Sequence, residues 1–233
     1  MTAEPTRPGA STREALLDAA ETLFSERGYA RVGIRELAEA ADANIASIKY
    51  HFGSKLELYL ETVRRAMRRR SVDDVWQILD RSHGSAKEAA ATLTRFIRLF
   101  LARVLEEPEE PATCLMLREA TQPSEAVDAV VRDFVKPHEG LIVACVRALV
   151  PRADPDELPL MAQSILGQIV HYRVFRPFLS RLRASDYDSA ASLDRITRYL
   201  VRFSLTGLGC RADVVRAGLE EAERLEKEEH DGR

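Results

Sequence analysis

Gly33-Ile-Arg-Glu-Leu-Ala-Glu-Ala-Ala-Asp-Ala-Asn-Ile-Ala-Ser-Ile-Lys-Tyr-His-Phe-Gly-Ser-Lys55 is the stretch that decides the fold. It reads as two short helices joined by a tight turn, a polar-aromatic tip and the start of a third helix. Ala38 and Ala41 let the two helices cross closely, and Ile34, Leu37, Ile45, Ile48 and Phe52 supply apolar contacts. At 100° per residue Ile45, Ile48 and Phe52 fall on one side of the second helix, with Ser47 and Tyr50 nearly opposite. Asn44, Ser47, Tyr50 and His51 therefore point outward. Hydrogen-bonding groups on a small, positively tipped helix suit insertion into the major groove of DNA.

Working outward, residues 1–10 look like a disordered arm, and a helix from Ser11-Thr12 to Arg27 carries Leu16, Ala19, Ala20, Leu23 and Phe24 on one stripe. Gly28 stops it. Ser54 and Glu57 form a capping box that opens a fourth helix running past Trp76 to about His83. Ser85-Ala-Lys-Glu88 opens the next, with Leu93, Phe96, Ile97, Phe100, Leu101 and Leu105 on it. A short helix over Cys114–Thr121 follows, then one over Ser124–Leu149 that Pro137 should kink. Two apolar helices are expected near 158–180 and 189–208, and the tail from Arg211 is charged, with Glu220 to Glu229 reading as mostly solvated helix or frayed coil. No strand pattern or internal repeat is visible, so the fold class is all-α: an N-terminal helix-turn-helix domain (11–55), a larger helical domain (56–210) and a tail (211–233).

The 233 residues carry a net charge of −3. Residues 1–70 hold 12 Lys/Arg against 10 Asp/Glu, and the rest 22 against 27, so the N-terminal part is the anion-binding end. Cys114, Cys145 and Cys210 are widely spaced and odd in number, which argues against a metal site or a disulfide framework and for buried free thiols. No signal region or membrane-length apolar segment is present, and a cytoplasmic location without membrane attachment is expected. An enzyme is disfavoured: there is no nucleophile motif, Gly-rich phosphate loop, metal-ligand spacing or close acid–base pair, and no cofactor is expected.

The stretch Ser11–Tyr59 resembles the N-terminal domain of the TetR family of bacterial transcriptional repressors. The resemblance is carried by Ala19-Ala20 with Leu23-Phe24, Gly28-Tyr29, Ile34-Arg-Glu-Leu-Ala38 and Ile48-Lys-Tyr-His-Phe-Gly-Ser-Lys55. Leu115-Met-Leu-Arg-Glu119 and Gln163-Ser-Ile-Leu-Gly167 are similar to the CecR-like subgroup. Two positions depart from the family. Gly33 stands where Thr or Ser usually caps the second helix and touches a phosphate, and Asp42 stands where glycine is common in the turn.

Within this frame, Lys49 lies angularly near Ile45 and reaches a backbone phosphate along its stem. His51 resembles the family's phosphate-contacting histidine. Lys55, in the first turn of the fourth helix, joins its ammonium to the helix N-terminus facing an anion, with Arg35 and Tyr29 as further phosphate candidates. In the Arg64-Arg65 and Arg68-Arg69-Arg70 cluster, Arg68 lies about 20 Å along the helix from its DNA-facing start, so carboxylate partners or solvent suit the cluster better than DNA.

The resemblance implies a homodimer on a double-stranded, palindromic operator, paired through the two apolar C-terminal helices. Leu158, Met161, Ile165, Ile169, Tyr172, Leu193, Ile196, Leu200, Phe203 and Leu208 would form that interface. It also implies a cavity for a small-molecule effector. Phe96, Phe100, Met116, Cys114, Phe134, Ile142 and Val170 would wall it, and Arg118, Glu119, His138, Gln168 and His171 would orient the effector. The function expected is a ligand-responsive repressor released from DNA by its effector. The alternative is a ligand-independent or activating helix-turn-helix protein.

Overall fold

The computed structural model describes residues 8–69, 84–106, 110–183 and 190–231. Among them every regular element is helical. Two compact units arise, one from residues 1–72 with 109–134 and one from 73–108 with 135–233. The segment 109–134 thus joins the N-terminal unit, whereas the sequence suggested a boundary at residue 55.

The first unit starts with α1 (Pro8–Arg27), which begins slightly before the expected Ser11. A 3-10 turn (Tyr29–Arg31) leads to α2 (Ile34–Ala40), α3 (Ile45–Phe52) and α4 (Lys55–Arg69). The continuation of α4 past Trp76, with Arg70, lies outside the described residues. Segment α6 (Pro111–Thr121) and the single turn α7 (Val127–Val130) complete the unit. Leu16, Leu17, Phe24, Leu37, Ile48, Leu58, Tyr59, Leu115 and Val130 form its buried core.

The turn between α2 and α3 shows how Asp42 substitutes for glycine. Asp42 takes φ +48. Ala43 N–H bonds the Ala38 carbonyl at 2.9 Å and Asp42 N–H the Glu39 carbonyl at 3.1 Å. These are the two bonds of a Schellman ending, whose left-handed position aspartate tolerates better than most residues. Gly53, with φ +82, ends α3 and turns the chain into α4. Ser54 Oγ then accepts the Glu57 N–H at 3.1 Å, the expected cap.

The second unit holds α5 (Ala86–Glu106), α8 (Lys136–Leu149), α9 (Leu158–Val174), α10 (Arg176–Arg183), α11 (Ala190–Gly207) and α12 (Ala212–Asp231). Phe96, Ile97, Leu101, Ile142, Val146, Ile165, Ile196 and Leu205 lie in its core. Two expectations need correction. Pro137 is preceded by a π-helical turn, Val131–Val135, rather than by a simple kink. The missing proline N–H and the bulk of its ring at the carbonyl four residues back widen the helix there. For the same reason Pro177 splits the helix expected over 158–180, which breaks at Phe175.

Of the two alternatives for the charged tail, helix is the one formed, as α12, and its first half is seated on the core. Val214 and Ala222 of α12 are buried, and the Thr94 hydroxyl donates to the Gly218 carbonyl at 3.2 Å. A Cβ on Gly218 would sit 2.6 Å from a Leu205 methyl, so glycine permits this close approach.

Candidate nucleic-acid interface

α3 is anchored on one side by Ile48, which is buried, and by Phe52, packed against the core beneath the Arg13 guanidinium at 5.2 Å. Its other side faces outward. Tyr50 is 84% exposed, Lys49 is exposed, and Ser47 and His51 are half-buried. The His51 ring meets Tyr50 edge-on, with centroids 4.9 Å apart. Arg35 is exposed on α2.

Asn44 caps α3: its Oδ1 accepts the Ala46 N–H at 2.9 Å. Its carboxamide oxygen thus serves the helix, while the NH2 end of the same side chain is the donor it offers outward. Ile34 and Ile45 depart from expectation, since both are exposed, Ile45 at 47%. Each is the first residue of its helix, where no preceding turn covers the side chain. Gly33 caps α2 in an extended conformation with no side-chain bond, as its lack of a hydroxyl requires.

Lys55 opens α4 with its ammonium 4.0 Å from the centre of the Tyr29 ring. Burial lowers the Lys55 pKa, and the Glu125 charge opposes that shift. The Tyr29 hydroxyl donates to Glu125 Oε1. Behind it, the Tyr59 hydroxyl donates to Glu119 Oε2 at 3.1 Å, and Glu119 Oε1 also accepts the Ser124 N–H at 2.7 Å. Burial, reinforced by these carboxylates, raises both phenol pKa values. Arg118 donates from Nε to the Ser25 carbonyl at 2.6 Å and from its terminal nitrogen to the Glu26 carbonyl, capping the end of α1. Segment 118–125 therefore buttresses the end of α1, the Tyr29 turn and α4, a role the sequence did not signal.

The basic cluster on α4 has carboxylate partners. Arg64 meets Asp133 at 3.3 Å, Arg65 meets Asp18, and Arg68 meets Glu61 at 3.0 Å.

The residues proposed for an effector divide between the units. Met116 and Arg118 belong to the first, where Met116 packs on the core. Phe96, Phe100, His138, Gln168 and His171 belong to the second. Of these, Phe96 and Phe100 stack at 4.3 Å, and His138 meets Phe100 edge-on at 5.3 Å. Gln168 lies instead 3.4 Å from the Ser204 hydroxyl, and exposed His171 stacks on Phe175 at 4.8 Å.

The interface stripe needs correction. Leu158, Ile165, Ile169, Leu193, Ile196 and Leu200 are buried in their own unit, with Met161, Tyr172 and Leu208 packed against that core. Only Phe203 of that set is an exposed large apolar residue, accompanied by Leu160, Val170, Val174 and Tyr199. Each helix spends its stronger apolar stripe on the core within the chain.

Comparison with known proteins agrees with this geometry. Residues 16–62 match the family described as bacterial regulatory proteins of the tetR family, the span that holds α2, α3 and the start of α4. Residues 89–208 match the C-terminal domain of the HTH-type transcriptional dual regulator CecR. The chain is 28% identical over 150 residues to the HTH-type transcriptional regulator BetI of Rhizobium meliloti, covering 63% of this chain and 70% of that one. It is 22% identical over 211 residues to the HTH-type transcriptional regulator RutR of Escherichia coli O157:H7, covering 89% and 95%. The solved structure of a gamma-butyrolactone receptor, an ArpA-like protein, shares the fold with a TM-score of 0.61 at 19% identity, covering 95% of this chain and all (100%) of that one. No helix among the described residues is long and apolar enough to cross a membrane. With a capped, outward-facing second helix of a helix-turn-helix and family matches over both parts of the chain, this protein belongs to the TetR family of bacterial transcriptional regulators.

Proposed function

We propose that the protein is a ligand-responsive repressor that binds a palindromic operator as a homodimer and leaves it when a small-molecule effector binds. The observation that carries the DNA half of this reading is the exposure of Tyr50 on a helix whose opposite side is buried through Ile48. Tyr50 and Ser47 meet base edges, while Lys49, His51, Lys55, Arg35 and the Asn44 amide meet phosphates. Exposed Ile45 adds an apolar surface suited to a thymine methyl. Two such helices, paired through α9 and α11, read successive major-groove faces about 34–36 Å apart.

For the effector we assign the aromatic group Phe96, Phe100 and His138, where apolar faces adjoin one imidazole. An effector releases DNA only by its differential affinity for the two arrangements of the dimer. The reading involves no chemical conversion of the effector.

Fluorescence anisotropy of the full chain tests the proposal, using duplexes from beside its own gene and scrambled controls at low and near-physiological salt. Specific binding that persists at higher salt, and is lost in Tyr50→Ala, supports the reading. Equal loss on both duplexes as salt rises shows phosphate attraction alone and defeats it.

A further inference from the structure

Glu125 sits in the turn between α6 and α7, outside the helices that touch DNA, yet its carboxylate accepts the Tyr29 hydroxyl. The turn is held in place: the Ser124 N–H and hydroxyl both donate to Glu119, at 2.7 and 2.9 Å, and Ala126 N–H donates to Ser124 Oγ at 3.1 Å. The Tyr29 ring is wedged between aromatic neighbours, 5.1 Å from Tyr59 and 6.0 Å from Phe24. The Lys55 ammonium rests 4.0 Å from its centroid. A cation over a phenol ring is held by the ring's electron density, which a hydroxyl donating to an anion increases. We propose that Glu125 is a positioning residue for DNA binding: through the Tyr29 hydroxyl it fixes the aromatic shelf that presents the Lys55 ammonium to an operator phosphate. The inference rests on the proposed role of Lys55 as a phosphate contact. Burial lowers the Lys55 pKa, and the Glu125 charge works against that shift, favouring the ammonium form.

Two readouts on the full chain test it. The first needs no DNA. The chain has five lysines, so reductive 13C-methylation gives a small set of signals, with Lys55 assigned by its loss in Lys55→Arg. The Tyr29 ring current should set the Lys55 methyl signal apart from the others. Glu125→Ala should move it towards them, and Glu125→Gln, which keeps a carbonyl acceptor for the hydroxyl, should restore it. The second readout is the affinity of unmodified protein for a duplex enriched from a random-sequence pool by the wild type. Glu125→Ala should weaken binding about fivefold to tenfold and reduce the slope of log K against log salt by about 1. In a Tyr29→Phe background Glu125→Ala should change nothing further, because the link is already cut.

An unmoved Lys55 signal in Glu125→Ala overturns the proposal. So does an undiminished loss of affinity in the Tyr29→Phe background. Tighter binding by Glu125→Ala would show that the carboxylate competes with phosphate, and overturns it too. Failure of the wild type to enrich any duplex defeats the operator reading instead, while the Lys55 signal still decides whether Glu125 holds the shelf.

Discussion

The Tyr59 hydroxyl donates to Glu119 at 3.1 Å, with both side chains almost wholly buried. The bond joins α4 to α6 within one unit, where Glu119 also takes two donors from Ser124. Removing the hydroxyl in Tyr59→Phe keeps the ring that packs edge-on against Phe24 at 5.0 Å. The loss is therefore one bond to a buried carboxylate, about 1.5–3 kcal/mol. Urea unfolding should show a lower midpoint with unchanged helicity. Glu119→Ala should destabilise at least as much, since it orphans the Tyr59 and Ser124 donors together. Equal stability of Tyr59→Phe and wild type would show that the bond contributes nothing net.

Gly33 offers a site for improvement. Its φ of −91 and ψ of 153 suit an N-cap serine, and a Cβ there meets nothing within 4 Å. Gly33→Ser should stabilise α2 by a few tenths of a kcal/mol, read as a small rise in Tm. It also supplies a hydroxyl beside the helices proposed to face DNA, so operator affinity should rise while dimerisation stays fixed. A drop in affinity would show that the glycine itself is needed against DNA.

Those capping features illustrate what sequence reveals. The Ser54 cap, the Asp42 turn and the orientation of Tyr50 depend on residues within one or two helical turns, and each was legible. Ile45 was misassigned because helical angle says nothing about a helix end. Arg118 and Glu119 looked like polar groups awaiting an effector. Their partners Ser25, Glu26 and Tyr59 lie 60 to 93 residues away, and no spacing rule pairs them. In α12 abundant charge hid the apolar face on which Val214 and Ala222 are buried and Val215 and Leu219 pack against the core.

Cys145 provides a pH-dependent prediction. It is buried in the second unit, and burial pushes its thiol up to about 12 from an ordinary value of 9.0. A folded-state pKa raised above the unfolded one gives a stability contribution fully present below about pH 9 and lost as pH climbs towards 12. Unfolding free energy should decline over that alkaline window. Cys145→Ala should flatten the decline, after allowance for its loss of packing. At neutral pH a thiol reagent should modify Cys145 only as fast as the second unit opens. Rapid modification of the native protein would contradict its placement.

Phe203 tests the pairing surface. It is 57% exposed, stacks on exposed Tyr199 with centroids 6.1 Å apart, and lies on α11 beyond the buried stripe of Ile196 and Leu200. Large apolar groups left in water by one chain are what a second copy would cover. Phe203→Glu places charge in that contact without opening a hole in the chain's own core. Sedimentation equilibrium should show the dimer weakened by about 30-fold or more, the effect of losing an interface anchor of about 2 kcal/mol. Thermal unfolding of the monomer should stay close to that of Phe203→Ser, a neutral control at the same position. Ile196→Glu, by contrast, should unfold the second unit, because that side chain is buried within it. A Phe203→Glu protein that remains dimeric would move the pairing surface away from α11, leaving α9, with Leu160, Val170 and Val174 exposed, as the face to alter next.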